Sequence, residues 1–398
     1  MITTISIIIL VAMAVAIVWQ LAVGLRPMWI TGNVRKCETK PAEGETTSRD
    51  EAEGEPASRE EAEGEPASRE EAEGETGNGV DARSDAPAPE KAGRSLTLVV
   101  FASCDEEVLD GWISRVLEQD YPAFDVVVVY DANAENTASL AERYADEKRI
   151  YFTFIPPGSH TLNRRKLALT IGIKAAKGDY ILTTIPQVRI PSDRWISEMM
   201  EPVNVEGDAK EVVLGFSHFD FSRIPASGRP GAKTETVTLG ARWVGDALRQ
   251  RPWRGDGNNL IFKRSLFFEN KGFADGLLLE GGDDDIFVNR IARPDNTAVA
   301  VSPDTVLTVD WGEATGRVWK MSRKRYRSTR DLMPKGPGTV RMICRYLSWA
   351  MPLAAAGAAA ASGFGWLADS IAGLLLILFY VFELILYRRA ARRLLPGV

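Results

Sequence analysis

Between Leu96 and Thr184 the chain alternates short, branched apolar runs with stretches of helical periodicity, and that alternation restricts it to few folds. Leu96–Phe101 and the valine-rich Asp125–Tyr130 have the length and branching of buried parallel strands. Between them, Glu106–Gln119 sets Val108, Trp112, Ile113, Val116 and Leu117 on one helical face, which completes a β-α-β unit. Glu135–Lys148 then reads as a helix, Ile150–Ile155 as a strand, Arg164–Ala176 as a helix and Tyr180–Thr184 as a fourth strand. The spacing predicts a doubly wound α/β sheet, whose ligands sit at the carboxyl ends of the strands where the strand order reverses. Candidate site residues are therefore Ser103, Cys104 and Asp105 after the first strand, Asp131 after the second, and the loop around Pro186 after the fourth.

The ends of the chain are of another kind. Ile5–Leu25 is apolar except for Ser6 and Gln20, about the length a helix needs to cross a ~30 Å hydrocarbon core. Its n-region carries no Lys or Arg, while Arg26, Arg35 and Lys36 follow it, which favours an uncleaved anchor over a signal peptide. Tyr346–Tyr387 is long enough for two further spans, with a break near Gly363, Gly365 and Asp369. Arg341 and Arg345 before this stretch, and Arg388, Arg389, Arg392 and Arg393 after it, put both flanks in the cytoplasm by the positive-inside rule. The expectation is a multi-pass protein of the cell (inner or plasma) membrane with its middle portion cytoplasmic.

Charge separates the anchor from the α/β region. Residues 41–90 hold 17 Asp and Glu against 4 Lys and Arg, so the net charge of −6 describes this segment and not the rest. Residues 51–60 and 61–70 are the same decapeptide, EAEGEPASRE, which lacks aromatic and branched apolar residues and has no face to bury. It reads as a disordered, charge-extended tether. Three cysteines (Cys37, Cys104, Cys344) and two histidines (His160, His218) exclude a disulfide framework and a Cys/His metal cluster. No GxGxxG follows the first strand and no GxxxxGK[ST] occurs, so the dinucleotide fingerprint and the P-loop are both excluded. The basic residues cluster beside the apolar C-terminal stretch and do not interleave with aromatics, which argues against a nucleic-acid partner.

Five segments in order carry a family resemblance: Ala102-Ser-Cys-Asp-Glu-Glu107, LEQDYPAFDVVVVYD ending at Asp131, NRRKLALTIGIKAAKGDYIL, GDGNNLIFKRSLFFENKGF and GGDDDIFVNRI. Together, from about Leu96 to Arg330, they resemble the inverting family 2 glycosyltransferases of the GT-A fold. The resemblance implies a mixed α/β GT-A sheet and transfer of a sugar from a nucleotide diphosphate donor to an acceptor hydroxyl. The chain then divides into an N-terminal transmembrane anchor (1–26), the acidic repeat linker (27–94), a GT-A domain (95–335) and a C-terminal transmembrane hairpin with a basic tail (336–398). A site held near the bilayer suggests a lipid-linked or surface glycan acceptor.

The same resemblance assigns roles. The family's acidic motif falls on Gly281-Gly-Asp-Asp-Asp-Ile286, with Asp283 or Asp284 as the base that takes the hydroxyl proton; the register stays open by one residue. Gly257, Asn258 and Asn259 correspond to the glycine-rich acceptor-side loop. Asp105 and Asp131 fall at donor-contacting strand ends, and Lys166, with Arg164 and Arg165, lies on the helix near the nucleotide. In Trp319-Lys-Met-Ser-Arg-Lys-Arg-Tyr326, Arg325 and Tyr326 fit the last two positions of a Gln-x-x-Arg-Trp element, as a diphosphate ligand and a sugar-stacking ring. The same strip, from Arg317 to Arg345, is also basic enough to meet anionic lipid.

One motif departs from the family. Relatives end the fourth strand with Asp-x-Asp, whose carboxylates hold a divalent ion such as Mg or Mn on the diphosphate; here Thr184 and Pro186 occupy those positions, and neither replaces a carboxylate. Three explanations stay open: transfer without a metal, a metal held by other acids such as those near Asp283, or an inactive GT-A domain serving as a scaffold subunit of a membrane glycan assembly complex.

Overall fold

The computed structural model describes residues 93–132, 135–158, 163–276, 278–336 and 366–397. The N-terminal apolar segment, the acidic repeats and the first half of the C-terminal apolar stretch lie outside the described residues. Four strands match the sequence expectation closely: β1 (Leu96–Ala102), β2 (Phe124–Asp131), β3 (Ile150–Ile155) and β4 (Tyr180–Thr184). They are followed by β5 (Val188–Arg189), β6 (Val212–Leu214), β7 (Phe216–Phe219), β8 (Leu260–Lys263), β9 (Thr297–Val299) and β10 (Val306–Val309). The helices used below are α1 (Glu106–Leu117), α2 (Glu135–Arg143), α3 (Arg164–Ala175), α4 (Trp195–Met200), α5 (Arg229–Ala247), α6 (Arg264–Glu269), α7 (Asp285–Ile291), α8 (Thr315–Thr329) and α9 (Trp366–Leu394).

The main sheet has the order β3-β2-β1-β4-β8-β6-β9. β1 pairs in parallel with both β2 and β4, and β8 runs antiparallel to β4 and β6, so the sheet is mixed. The chain lays β2 and β3 on one side of β1 and then returns to place β4 on the other. That reversal opens a crevice at the carboxyl ends of β1 and β4. A second sheet, β5-β10-β7, stands beside it.

Alternation along the strands feeds two cores. Leu96, Leu98 and Val100 of β1 and Val126 and Val128 of β2 pack with α1 and α4, while Val99, Val127 and Val129 face α3. α3 approaches the sheet closely enough that a Cβ at Gly172 would stand 2.4 Å from Val99 Cγ1, which only glycine avoids. On α1 the buried face is Leu109, Trp112, Ile113 and Val116; Val108, expected inward, is 40% exposed because the helix turns its i, i+4, i+7 row of Leu109, Ile113 and Val116 to the sheet.

Half of the expected C-terminal transmembrane hairpin, residues 337–365, lies outside the described residues. Among the described residues no helix is long and apolar enough to cross a membrane. α9 packs on α5 and β7, burying Phe379, Leu386, Ala390 and Leu394 in the core of the α/β domain. One face is thus committed to protein, and Glu383, half-buried, interrupts the apolar run. The opposite side exposes Leu374, Ile377, Leu378, Val381, Phe382, Leu384 and Ile385.

Candidate active site

A cleft of about 730 Å³ opens at the carboxyl ends of β1 and β4. Phe101 and Ser103 enter it from β1, Ile185 from the end of β4, Arg164 and Arg165 from the first turn of α3, and Arg317, Met321, Arg325 and Tyr326 from one side of α8. The acidic turn, Asp283, Asp284 and Asp285, lines it from across the sheet. This volume is within the range of sites for ligands of drug size and above.

The acidic turn is held by several independent contacts. Gly282 sits at φ +102°, a conformation glycine adopts without strain, and turns the chain into α7. Asp284 is the N-cap of that helix: its Oδ1 accepts from the Asp285 amide at 2.8 Å. Asp285 points away from solvent, and its Oδ2 accepts from the Thr329 hydroxyl at 2.5 Å. Asp283 Oδ2 accepts from Arg165 Nε at 2.6 Å. Burial first, and the charge of Asp285 next, push the Asp284 carboxyl up to about 7. The three adjacent carboxylates therefore have three environments: one ion-paired, one buried in a hydrogen bond, and one raised to about 7 and facing the cleft.

The glycine loop comes to the same place. The Gly257 carbonyl accepts from Arg165 at 2.9 Å, and a Cβ at Gly257 would stand 3.0 Å from the Asp284 Cβ and 3.4 Å from Asp283 Oδ2. Asn258 lines the cleft as well. Asn259 does not: it is fully buried, accepting from Trp195 Nε1 at 3.2 Å and donating to the Phe216 and Thr305 carbonyls, so it ties β7, β8 and α4 together.

The donor-side candidates are divided. Arg325 lines the cleft, and Tyr326 lines it while stacking under the Arg254 guanidinium at 4.2 Å. Asp105 is exposed at the start of α1 and contributes nothing to the lining. Asp131 is ion-paired with Arg164 at the edge of the site. Lys166 is buried, with its ammonium donating to the carbonyls of Gly276, Leu279 (2.9 Å) and Gly281 (2.6 Å). All three ammonium protons are used on the segment leading into the acidic turn, so the structure makes Lys166 a clamp on that segment. Burial lowers its pKa from the ordinary lysine range, and Asp283, Asp284 and Asp285 oppose that shift. Cys104, named with Asp105, is half-buried, and its thiol is pushed up to about 12, chiefly by burial.

Two cleft arginines were not among the candidate site residues. Arg254 precedes the glycine loop, and Arg317 lies two turns before Arg325 on the same face of α8. The i, i+8 spacing of 317 and 325 was a readable signal; the position of Arg254 was not.

The residues do not fit a divalent cation at the family's metal position. Thr184 is fully buried, Ile185 presents an apolar side chain, and among the described residues no group of three or more His, Cys, Asp or Glu is placed to hold a metal. Of the acids lining the cleft, Asp283 is occupied by Arg165 and Asp285 by Thr329, which leaves Glu280 and Asp284.

Residues 97–222 match the family model described as glycosyl transferase family 2. Those residues, about a third of the chain, resemble a family 2 glycosyltransferase domain. No curated protein matches the chain. Among solved structures it is similar to the mannosyltransferase PcManGT from Pyrobaculum calidifontis in complex with GDP-Man and Mn2+, at 20% identity over 78% of this chain and 90% of that one, TM-score 0.46. It is also similar to glucosyl-3-phosphoglycerate synthase from Mycobacterium tuberculosis in complex with phosphoglyceric acid (17%, 63% and 83%, TM-score 0.40). A third is S. aureus TarS 1-349 in complex with UDP-GlcNAc (14%, 75% and 90%, TM-score 0.39).

Proposed function

We propose that the cleft binds a nucleotide diphosphate sugar and that Asp284 removes the proton from the acceptor hydroxyl as it attacks the anomeric carbon, with inversion. The carrying observation is the position of Asp284 on the cleft wall at the carboxyl ends of the strands, with its carboxyl raised to about 7. A base is most effective when its pKa lies near the working pH. Asp283 is the weaker candidate, since Arg165 occupies its Oδ2. Arg165 and Gly257 orient the turn, and Tyr326 offers an aromatic face for a sugar ring.

The acceptor in this reading is lipid-linked or part of a surface glycan. Support comes from the apolar outer side of α9 and the basic residues Arg388, Arg389 and Arg392 at its end, which suit contact with a bilayer on its cytoplasmic face. The experiment incubates the purified full-length protein with a panel of UDP- and GDP-sugars and follows release of the nucleoside diphosphate. Release by the wild type that Asp284→Asn abolishes supports the reading. Equal complementation of a deletion strain by wild type and Asp284→Asn refutes catalysis and favours a scaffold subunit.

A further inference from the structure

We propose that guanidinium groups of Arg254, Arg317 and Arg325, in place of a divalent cation, neutralise the diphosphate leaving group in this cleft. The inference rests on the nucleotide-sugar reading above and adds to it the means by which the leaving group is discharged.

The disagreement between donor set and metal is the first observation. A hard cation on a diphosphate needs free carboxylate oxygens, and this cleft has none at the end of β4, where Thr184 is buried and Ile185 is apolar. Of the four lining carboxylates Asp283 is committed to Arg165 and Asp285 to Thr329, and the remaining two, Glu280 and Asp284, do not make a three-ligand set among the described residues.

The second observation is independent and concerns cations that lack partners. Five arginines line the cleft against four carboxylates. Arg164 and Arg165 are spoken for by Asp131 and Asp283. The Nε atoms of Arg254 and Arg325, by contrast, are buried without any acceptor. Arg317 makes no ion pair or hydrogen bond among the described residues and stands two turns from Arg325 on the same helix. A buried guanidinium N–H without an acceptor is costly, because its water is lost and nothing replaces it. Two such groups, with the exposed and unpaired guanidinium of Arg317 beside them, define a site for an anion with several oxygens, and the planar fork of arginine matches phosphate oxygens. The Arg254 guanidinium also stands 4.2 Å from the Tyr326 ring centroid, a cation–π contact on the cleft wall.

The step balances without another reactant. The acceptor oxygen bonds to the anomeric carbon and its proton passes to the Asp284 carboxylate. The bond from the anomeric carbon to the bridging phosphate oxygen breaks, and its electron pair leaves on the diphosphate. The developing charge falls on oxygens that the arginine N–H groups can reach, so stabilisation needs no metal.

The test measures binding of UDP, GDP, ADP and CDP to the full-length detergent-solubilised protein by calorimetry, in EDTA and in Mn²⁺, with Mn²⁺ binding followed by electron paramagnetic resonance. The inference expects one of these nucleotides to bind with the same affinity in both buffers, with no protein-bound Mn²⁺ signal. Arg317→Ala, at an exposed helical position, should weaken that binding about tenfold or more without lowering the melting temperature, and Arg317→Lys should recover part of it. Binding that requires Mn²⁺ and produces an ordered Mn²⁺ signal overturns the arginine inference and leaves the nucleotide-sugar reading standing. Binding that Arg317→Ala leaves unchanged also overturns it. Failure of all four nucleotides in both buffers overturns the nucleotide-sugar reading and this inference with it.

Discussion

Arg165 donates through Nε to Asp283 Oδ2 at 2.6 Å while a terminal nitrogen of the same guanidinium reaches the Gly257 carbonyl at 2.9 Å. One side chain from the first turn of α3 thereby holds the acidic turn against the glycine loop, joining segments about a hundred residues apart. Arg165→Met is expected to leave the mostly buried Asp283 carboxylate without its partner and to cost about 2 kcal/mol. Denaturant melts measure the cost, and donor turnover should fall with it as Asp284 loses its fixed position.

The two neighbouring aspartates are expected to separate kinetically. Asp284→Asn removes the base and should lower kcat by roughly 10²–10⁴-fold with KM for the donor little changed. Asp283→Asn breaks the contact with Arg165 and should reduce stability, with a smaller loss of kcat. A reversed order would assign the base to Asp283, and steady-state kinetics on both variants decides between them.

A raised Asp284 carboxyl has two consequences of opposite direction. Turnover requires the deprotonated form, so kcat/KM should fall as pH drops below about 7. For stability the folded state holds the proton more tightly than the unfolded chain, whose value is 3.8, so the contribution is complete below about pH 4 and is lost as pH rises through about 7. In Asp284→Asn that decline should be absent. Melting temperatures of both proteins between pH 4 and 8 provide the measurement.

Local pattern carried the first half of the sheet. β1 to β4 and α1 to α3 are legible because each buries a contiguous or periodic apolar set, and the reversal of strand order follows from their alternation. The acidic turn and the glycine loop were readable as motifs, and both reach the cleft. Arg325 was readable too, but Lys166 and Asp131 were not, because their fates depend on partners remote in sequence. Nothing near Lys166 announces that its ammonium will be taken by carbonyls 110 to 115 residues further on. Asp131 meets Arg164, and Asn259 is consumed by Trp195 and two carbonyls, for the same reason. In the described part of the C-terminal stretch, hydropathy weighs α9 as a whole and does not separate the face packed on the domain from the exposed one.

Lys166 tests the difference between a clamp and a ligand. Lys166→Met keeps the volume of the side chain but leaves the Gly276, Leu279 and Gly281 carbonyls short of a donor, which should cost about 3 kcal/mol. Amide exchange should rise across residues 276–284. A residue that only touched the donor would instead weaken nucleotide binding and leave the melt unchanged.

The outer side of α9 supplies the last expectation. Leu374, Leu378, Val381 and Ile385 recur at i, i+4, i+7 and i+11, forming a stripe opposite the buried row of Phe379, Leu386 and Ala390. Glu383 is half-buried and lies toward the packed side, so the stripe itself carries no charge, while Arg388, Arg389 and Arg392 are exposed just beyond it. A helix so divided can rest its apolar side in the interfacial layer while its basic end meets anionic headgroups. Charged substitutions there should detach this contact without unfolding the domain, because the stripe contributes nothing to the core. The double variant Leu378→Glu with Ile385→Glu is expected to keep its melting temperature and, in a fragment beginning at residue 93, to lose flotation with vesicles containing phosphatidylglycerol. Flotation that persists in this variant and disappears when the arginines are replaced would mean that headgroup charge alone attaches the helix.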